Sequence, residues 1–184
     1  MRKTISVVLC AAAFIYTIWY MHFGTPYKNS GALSTIGIEH KGLFVIWGVL
    51  TFSALAFSVT LAYKRYLKTK VYVPLLIVSG IGMAAFLIFD FDYDVRLNYF
   101  LHCAGSLIFS ITMGTTLFLL FLLCYKKEKV FMIFTYLSAA VLLIDLLMLL
   151  IFKENALIES LPIFAGYIML SIVNLGRDKV EIKR

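Results

Sequence analysis

Histidine and carboxylate side chains within apolar sequence are the residues of this chain best suited to chemistry. His102 stands a few residues inside one long apolar run, Asp145 lies deeper in another, and Asp90 follows a third. A zinc ion binds His and Asp side chains and lowers the pKa of its bound water to about 7, which creates a nucleophile. His102, Asp90 and Asp145 are therefore candidate catalytic residues and candidate ligands of a divalent metal such as zinc.

A second set of polar residues lies close to the ends of the same apolar runs. Asn98 and Asp94 precede His102 by one and two helical turns, so a helix that extends back to residue 94 would place all three on one face. Such a face suits the headgroup of a membrane lipid or a small partner. The candidate ligand-binding residues are Ser34, Glu39, His40, Asp94, Asn98, His102 and Glu159.

Each of these positions also has a structural interpretation. His102 could be an interfacial histidine that caps the helices through hydrogen bonds. Asp145 could be a neutral side chain that makes one hydrogen bond between helices. Glu159 could complement the positive N-terminal end of the last helix. The sequence leaves both interpretations open at all three positions.

Short sequence motifs do not assign the chain to a known class of enzyme. The run from Asp90 to Asp94 begins like a calcium-binding loop, but Val95 stands where glycine is required and Leu101 stands where glutamate is required. The sequence contains no G-x-S-x-G, no H-E-x-x-H, no Walker loop and no dinucleotide-binding glycine pattern. Enzymes built on those motifs are not supported.

The elements that must position these residues are membrane-spanning helices. The chain is 62% hydrophobic and 15% charged, whereas a soluble chain is about half apolar and about a quarter charged. A spanning helix needs about 20 mostly apolar residues. Stretches of that kind cover residues 4–23, 42–63, 71–89, 97–125, 130–152 and 157–175. The short connections between them predict one all-α domain over residues 1–184, a bundle of six transmembrane helices.

Basic residues are distributed unequally between the two ends of the predicted bundle. Of the 17 Lys and Arg residues, 13 fall on the side of the two termini, and four fall on the other side. Because Lys and Arg are retained in cytoplasmic loops, this pattern predicts a multi-pass cell-membrane protein with both termini in the cytoplasm. The net charge of +7 then reflects membrane topology, and no nucleic-acid partner is expected.

Three segments resemble a known membrane family. They are Leu33-Ser-Thr-Ile-Gly37-Ile-Glu39-His-Lys-Gly-Leu-Phe44, then Phe89-Asp90, then Leu101-His102-Cys-Ala-Gly105-Ser-Leu-Ile-Phe109. Their order, over residues 30–110, resembles the six-helix family of the damage-regulated autophagy modulator (DRAM) and Sfk-type proteins, with bacterial relatives of unknown function. The resemblance implies a membrane lipid as ligand. The positions that it carries over are Ser34, Gly37, Glu39, Asp90 and His102.

Three functions follow from these observations. In the leading hypothesis, a polar layer in the outer leaflet binds or handles a lipid headgroup or a small partner. The alternative is a metal-dependent intramembrane hydrolase that acts on a lipid. The third is an accessory subunit that packs on another membrane protein, because Ser106, Ser110 and Gly114 recur every four residues and small residues allow helices to approach closely.

Overall fold

The computed structural model describes residues 1–28, 31–67, 69–92, 94–153 and 155–176. Within those ranges it contains seven α-helices and no strand. The helices are α1 Arg2–Met21, α2 Leu33–Glu39, α3 Lys41–Tyr66, α4 Tyr72–Ile88, α5 Arg96–Cys124, α6 Lys129–Phe152 and α7 Ala156–Leu175. The all-α prediction is confirmed.

Five of the described helices are long and apolar enough to cross a membrane: α1, α3, α5, α6 and α7. The sixth predicted span corresponds to α4, which is apolar but has only 17 residues. Its length is below the roughly 20 residues that a typical bilayer requires. The chain is thus an all-α protein with the helices of a membrane protein, and five of the six predicted spans have the expected length.

Long helices that follow one another along the chain run in opposite directions, and α1 is antiparallel to both α3 and α7. Ser6 near the start of α1 donates a hydrogen bond to Ser58 near the end of α3, at 2.7 Å, and accepts one from Asn174 near the end of α7, at 2.9 Å. His102 near the start of α5 is bonded to Phe89 at the end of α4, at 2.9 Å. We call the end of the bundle that contains the ends of α1, α4 and α6 the distal end.

Two glycines bring α4 and α5 into backbone contact. A Cβ atom added at Gly105 would lie 2.6 Å from the backbone nitrogen of Phe86 and 2.7 Å from the carbonyl oxygen of Gly82. Any larger residue would therefore push the two helices apart. Such close approach is how helices associate where surrounding lipid removes the hydrophobic driving force.

Helix α2 lies in a segment that the sequence predicts as a loop. It has seven residues, among which Leu33, Ser34, Ile36 and Gly37 are buried. The tyrosine hydroxyl of Tyr20 donates a hydrogen bond to the carbonyl oxygen of Leu33 at 3.0 Å. Contacts with other helices thus hold α2 against the distal end.

The second half of α6 is poorly packed. Its buried side chains are Phe131, Phe134, Thr135 and Ser138, all in the first ten residues of the helix. Within the described stretch 139–152, no side chain is buried. Helix α6 therefore packs against the bundle in its first half and leaves a cleft toward α5 and α7 at the distal end.

Candidate functional site

A cavity of about 340 Å³ lies at the distal end, beside the second half of α6. We call it the distal cavity. Each helix from α2 to α7 contributes to its wall, with Ser34, Trp47, Phe86, His102, Asp145 and Glu159, respectively. A smaller cavity of about 80 Å³ shares Asp145 and Glu159 and continues toward Leu55 and Leu117 in the interior. The six helices thus enclose a mainly apolar cavity that has several polar side chains in its wall.

His102 is a buried histidine with one free nitrogen. Its side chain is only 2% exposed, and Nδ1 lies 2.9 Å from the carbonyl oxygen of Phe89. A carbonyl oxygen only accepts, so Nδ1 must carry the hydrogen; in the neutral ring, Nε2 is then a hydrogen-bond acceptor. Nε2 is buried and has no hydrogen-bond partner among the described residues. The imidazole therefore offers an unused acceptor in the wall of the distal cavity.

Two further buried oxygen atoms in the same wall are also without partners. They are Oγ of Ser34, whose side chain is 4% exposed, and Oδ1 of Asp145; neither has a hydrogen-bond partner in the described part of the chain. Buried polar atoms are nearly always hydrogen-bonded, and leaving one unsatisfied costs about 1–3 kcal/mol. Three such atoms around one cavity make it the candidate site for a polar group.

Glu159 ties α7 to α2. One of its carboxylate oxygens accepts a hydrogen bond from the backbone N–H of Leu33 at 2.6 Å. The same glutamate lies in the first turn of α7, where Asn155 caps the helix by accepting from the N–H of Ile158 at 3.0 Å. The predicted position of Glu159 near the start of the last helix is therefore observed, and the residue also holds α2 beside the distal cavity.

Asp90 does not join this group. Its carboxylate forms an ion pair with the ammonium group of Lys41, at 2.6 Å, and both side chains are exposed. Among the described residues, no group of three or more His, Cys, Asp or Glu side chains is placed to hold a metal ion. His102, Asp90 and Asp145 are thus not brought together as one set of ligands, and a zinc site there remains a prediction without geometric support.

The other predicted binding residues also lie outside the wall of the distal cavity. Glu39 and Asp94 are exposed, and Asn98 is half-buried. The imidazole of His40 packs edge-on against the ring of Phe23, with their centroids 4.9 Å apart. Gly37 packs against another aromatic ring, since a Cβ added there would lie 2.8 Å from Phe44. Of the candidates, the structure brings together Ser34, His102, Asp145 and Glu159.

The sequence analysis missed two polar residues of the cavity. Ser106 and Ser110 were predicted to form a packing seam, but both line the distal cavity. The signal was present in their spacing, because His102, Ser106 and Ser110 follow one another at intervals of four residues and therefore share one face of α5. The close helix contact is made instead at Gly82 and Gly105.

Comparison of the chain with protein-family models, with curated proteins and with solved structures finds no match. The function must therefore be argued from the chemistry of the distal cavity.

Proposed function

We propose that this chain is a six-span cell-membrane protein, with both termini in the cytoplasm, whose distal cavity binds the headgroup of a membrane lipid. Five buried side-chain atoms have no hydrogen-bond partner in the described structure, and the observation that carries the proposal is that three of them, Ser34 Oγ, His102 Nε2 and Asp145 Oδ1, belong to one cavity. All three residues line one cavity. A polar headgroup would satisfy the three atoms together.

The surroundings of the cavity suit the apolar part of a lipid. Leu107 and Leu149 line the cavity, and Leu107 is 61% exposed, so the wall continues onto the outer surface of the helices. The half of α6 that contains Asp145 has no buried side chain within its described residues 139–152. A lipid can therefore place its headgroup between α5 and α6 and leave its acyl chains against exposed leucines.

The depth of the polar atoms agrees with a headgroup drawn slightly into the bilayer. Asp145 precedes the end of α6 at Phe152 by seven residues, and His102 follows the start of α5 at Arg96 by six. At a rise of 1.5 Å per residue, both lie about 10 Å inside their helices. This depth supports a cavity near one membrane surface, away from the middle of the bilayer.

The proposed six-span topology depends on whether α4 spans the membrane and on the distribution of the basic residues. The 17 residues of α4 extend about 26 Å at 1.5 Å each, slightly less than the hydrocarbon core of about 30 Å. Local thinning of the bilayer accommodates such a mismatch at modest cost. With α4 counted, the excess of Lys and Arg lies at the end opposite the distal cavity, which favours cytoplasmic termini and a cavity in the outer leaflet.

The geometry favours binding over hydrolysis. Ser34 Oγ and His102 Nε2 both lack hydrogen-bond partners among the described residues, so they do not form a pair of nucleophile and base. In a catalytic triad, an orienting carboxylate would accept a hydrogen bond from His102 Nδ1. Here that nitrogen donates instead to the backbone carbonyl oxygen of Phe89. A metal-dependent hydrolase remains the alternative, and an accessory subunit remains the third hypothesis.

The test is lipid retention after mild extraction. Wild type and a cavity-filling variant, Ser106→Phe, would be analysed by native mass spectrometry beside Ala140→Phe, a matched control at an exposed position of α6 that does not line the cavity. We expect a bound lipid on wild type and control, and at least about tenfold less on Ser106→Phe, which corresponds to about 1.4 kcal/mol. His102→Ala serves as a second variant if Ser106→Phe does not fold. Equal retention in all folded variants would refute lipid binding in this cavity.

A further inference from the structure

We infer that the group recognised in the distal cavity is a primary ammonium carried by an amphiphile, as in a lipid with an ethanolamine headgroup. This inference rests on the proposed lipid binding and specifies the chemistry of the headgroup. It is carried by the charges that line the cavity and by the hydrogen-bonding capacity of its buried atoms.

The charged side chains that line the cavity are acidic. Asp145 faces it from α6 and Glu159 faces it from α7, and among the residues that the structure describes no Lys or Arg lines it. An acidic side chain within a membrane helix is costly and is normally paired with an opposite charge. A cationic headgroup supplies that charge, whereas an anionic headgroup would bring further negative charge to a cavity that no described Lys or Arg lines.

The buried atoms of the wall require donors. His102 Nε2 is an acceptor in the neutral ring, because Nδ1 carries the hydrogen that is bonded to Phe89. A carboxylate such as Asp145 only accepts, and the hydroxyl of Ser34 can accept as well. A primary ammonium has three N–H donors and no acceptor, so it complements these atoms. A quaternary ammonium has no N–H group and would leave them unsatisfied.

The site is a built cavity and differs from an acidic surface patch. The side chains of His102 and Ser34 are 2% and 4% exposed, and their atoms without partners in the described chain face the same space as Asp145. By contrast, the exposed acids at the same end, Glu39 and Asp94, do not line it. The aromatic side chains of the wall, such as Trp47 and Phe86, attract primary and quaternary ammonium groups alike. The selection for a primary ammonium therefore comes from the acceptors without partners, which need N–H donors.

The experiment compares lipids that differ only in the headgroup. Wild type, Asp145→Asn and the control Asp94→Asn would be reconstituted in nanodiscs with equal amounts of ethanolamine, choline and glycerol lipids that have identical acyl chains. Retention of each lipid would be measured by native mass spectrometry. Asp94 is an exposed carboxylate at the same end of the bundle, so its variant controls for the loss of one negative charge.

We expect wild type and Asp94→Asn to retain the ethanolamine lipid about tenfold more than the choline lipid, since hydrogen bonds to charged groups are worth more than neutral ones. Asp145→Asn should reduce that preference toward one. Glu159→Gln is a second variant, because its amide oxygen can still accept from the N–H of Leu33. Equal retention of the three headgroups by wild type, or preference for the glycerol lipid, would overturn ammonium recognition.

Two further measurements are needed. One distinguishes a lipid headgroup from a soluble amine, and the other distinguishes a failure of ammonium recognition from a failure of lipid binding. Free ethanolamine should not displace the bound lipid at millimolar concentration; displacement by the soluble amine would overturn the requirement for an amphiphile. If all three lipids are retained equally and Ser106→Phe still releases them, lipid binding stands and ammonium recognition fails. If Ser106→Phe has no effect on any lipid, both proposals fail.

Discussion

Replacing Asp145 with leucine should stabilise this protein while abolishing the proposed lipid binding. Asp145 lies in an apolar helix, and its buried Oδ1 has no hydrogen-bond partner among the described residues. An aspartate at the centre of a membrane helix costs about 2.5–3.5 kcal/mol, whereas leucine is favourable by about 0.3–0.6 kcal/mol. Because Asp145 is half-buried and about 10 Å from the helix end, only part of this difference applies.

We therefore expect Asp145→Leu to raise the free energy of unfolding by about 1–3 kcal/mol, the cost of one unsatisfied buried polar group. For a chain of this size, that corresponds to an increase in Tm of roughly 2–12 °C. The space of the adjacent cavity leaves room for the larger side chain.

The assay is thermal unfolding in detergent from which lipid has been removed, followed by near-UV circular dichroism. Asp94→Leu is the matched control, because Asp94 is exposed and its replacement should change stability by less than about 0.5 kcal/mol. A loss of stability in Asp145→Leu would refute the reasoning, since it would identify Asp145 as a structural residue that holds α6 in place.

Three other predictions concern the contact between α4 and α5, one buried hydrogen bond, and metal content. Gly105→Ala should destabilise the bundle by about 1–3 kcal/mol, because the added methyl group would overlap the backbone of α4; Gly42→Ala, with nothing within 4 Å of its Cβ, should be neutral or slightly stabilising in the same unfolding assay. Tyr167→Phe removes a buried 2.9 Å hydrogen bond to Thr51 and should cost about 0.6–1.7 kcal/mol, so an unchanged Tm would contradict that bond. Elemental mass spectrometry should find no stoichiometric zinc in wild type or His102→Ala; stoichiometric zinc that is lost in the variant would instead support the hydrolase.

Sequence alone predicts the long helices well, because their apolar runs are continuous and their polar boundaries are clear. It does not predict α2, whose seven residues include a glycine and two isoleucines of modest helix propensity. That helix is held by bonds to Tyr20 and Glu159, which are remote in sequence. The hydrophobic pattern and helix propensities of the segment itself do not predict such contacts between remote residues.

Sequence alone identifies some of the residues that line the distal cavity but not the full set. The position of His102 and Asp145 within apolar runs marks them as unusual polar residues, and both line the same cavity. Asp90 looked equivalent, yet it pairs with Lys41, 49 positions earlier in the chain. The rotation of each helix about its axis decides which polar residues converge, and mostly uniform Leu, Ile and Phe positions do not reveal that rotation.

The most direct test of lipid binding is an experimental structure of the protein in nanodiscs that contain an ethanolamine lipid. We expect headgroup density in the distal cavity, between α5 and α6, with the amine nitrogen about 2.7–2.9 Å from the carboxylate of Asp145 and within hydrogen-bond distance of His102 Nε2. Density that shows the second half of α6 packed against α5 and α7, with the cavity closed and the lipid elsewhere, would contradict it.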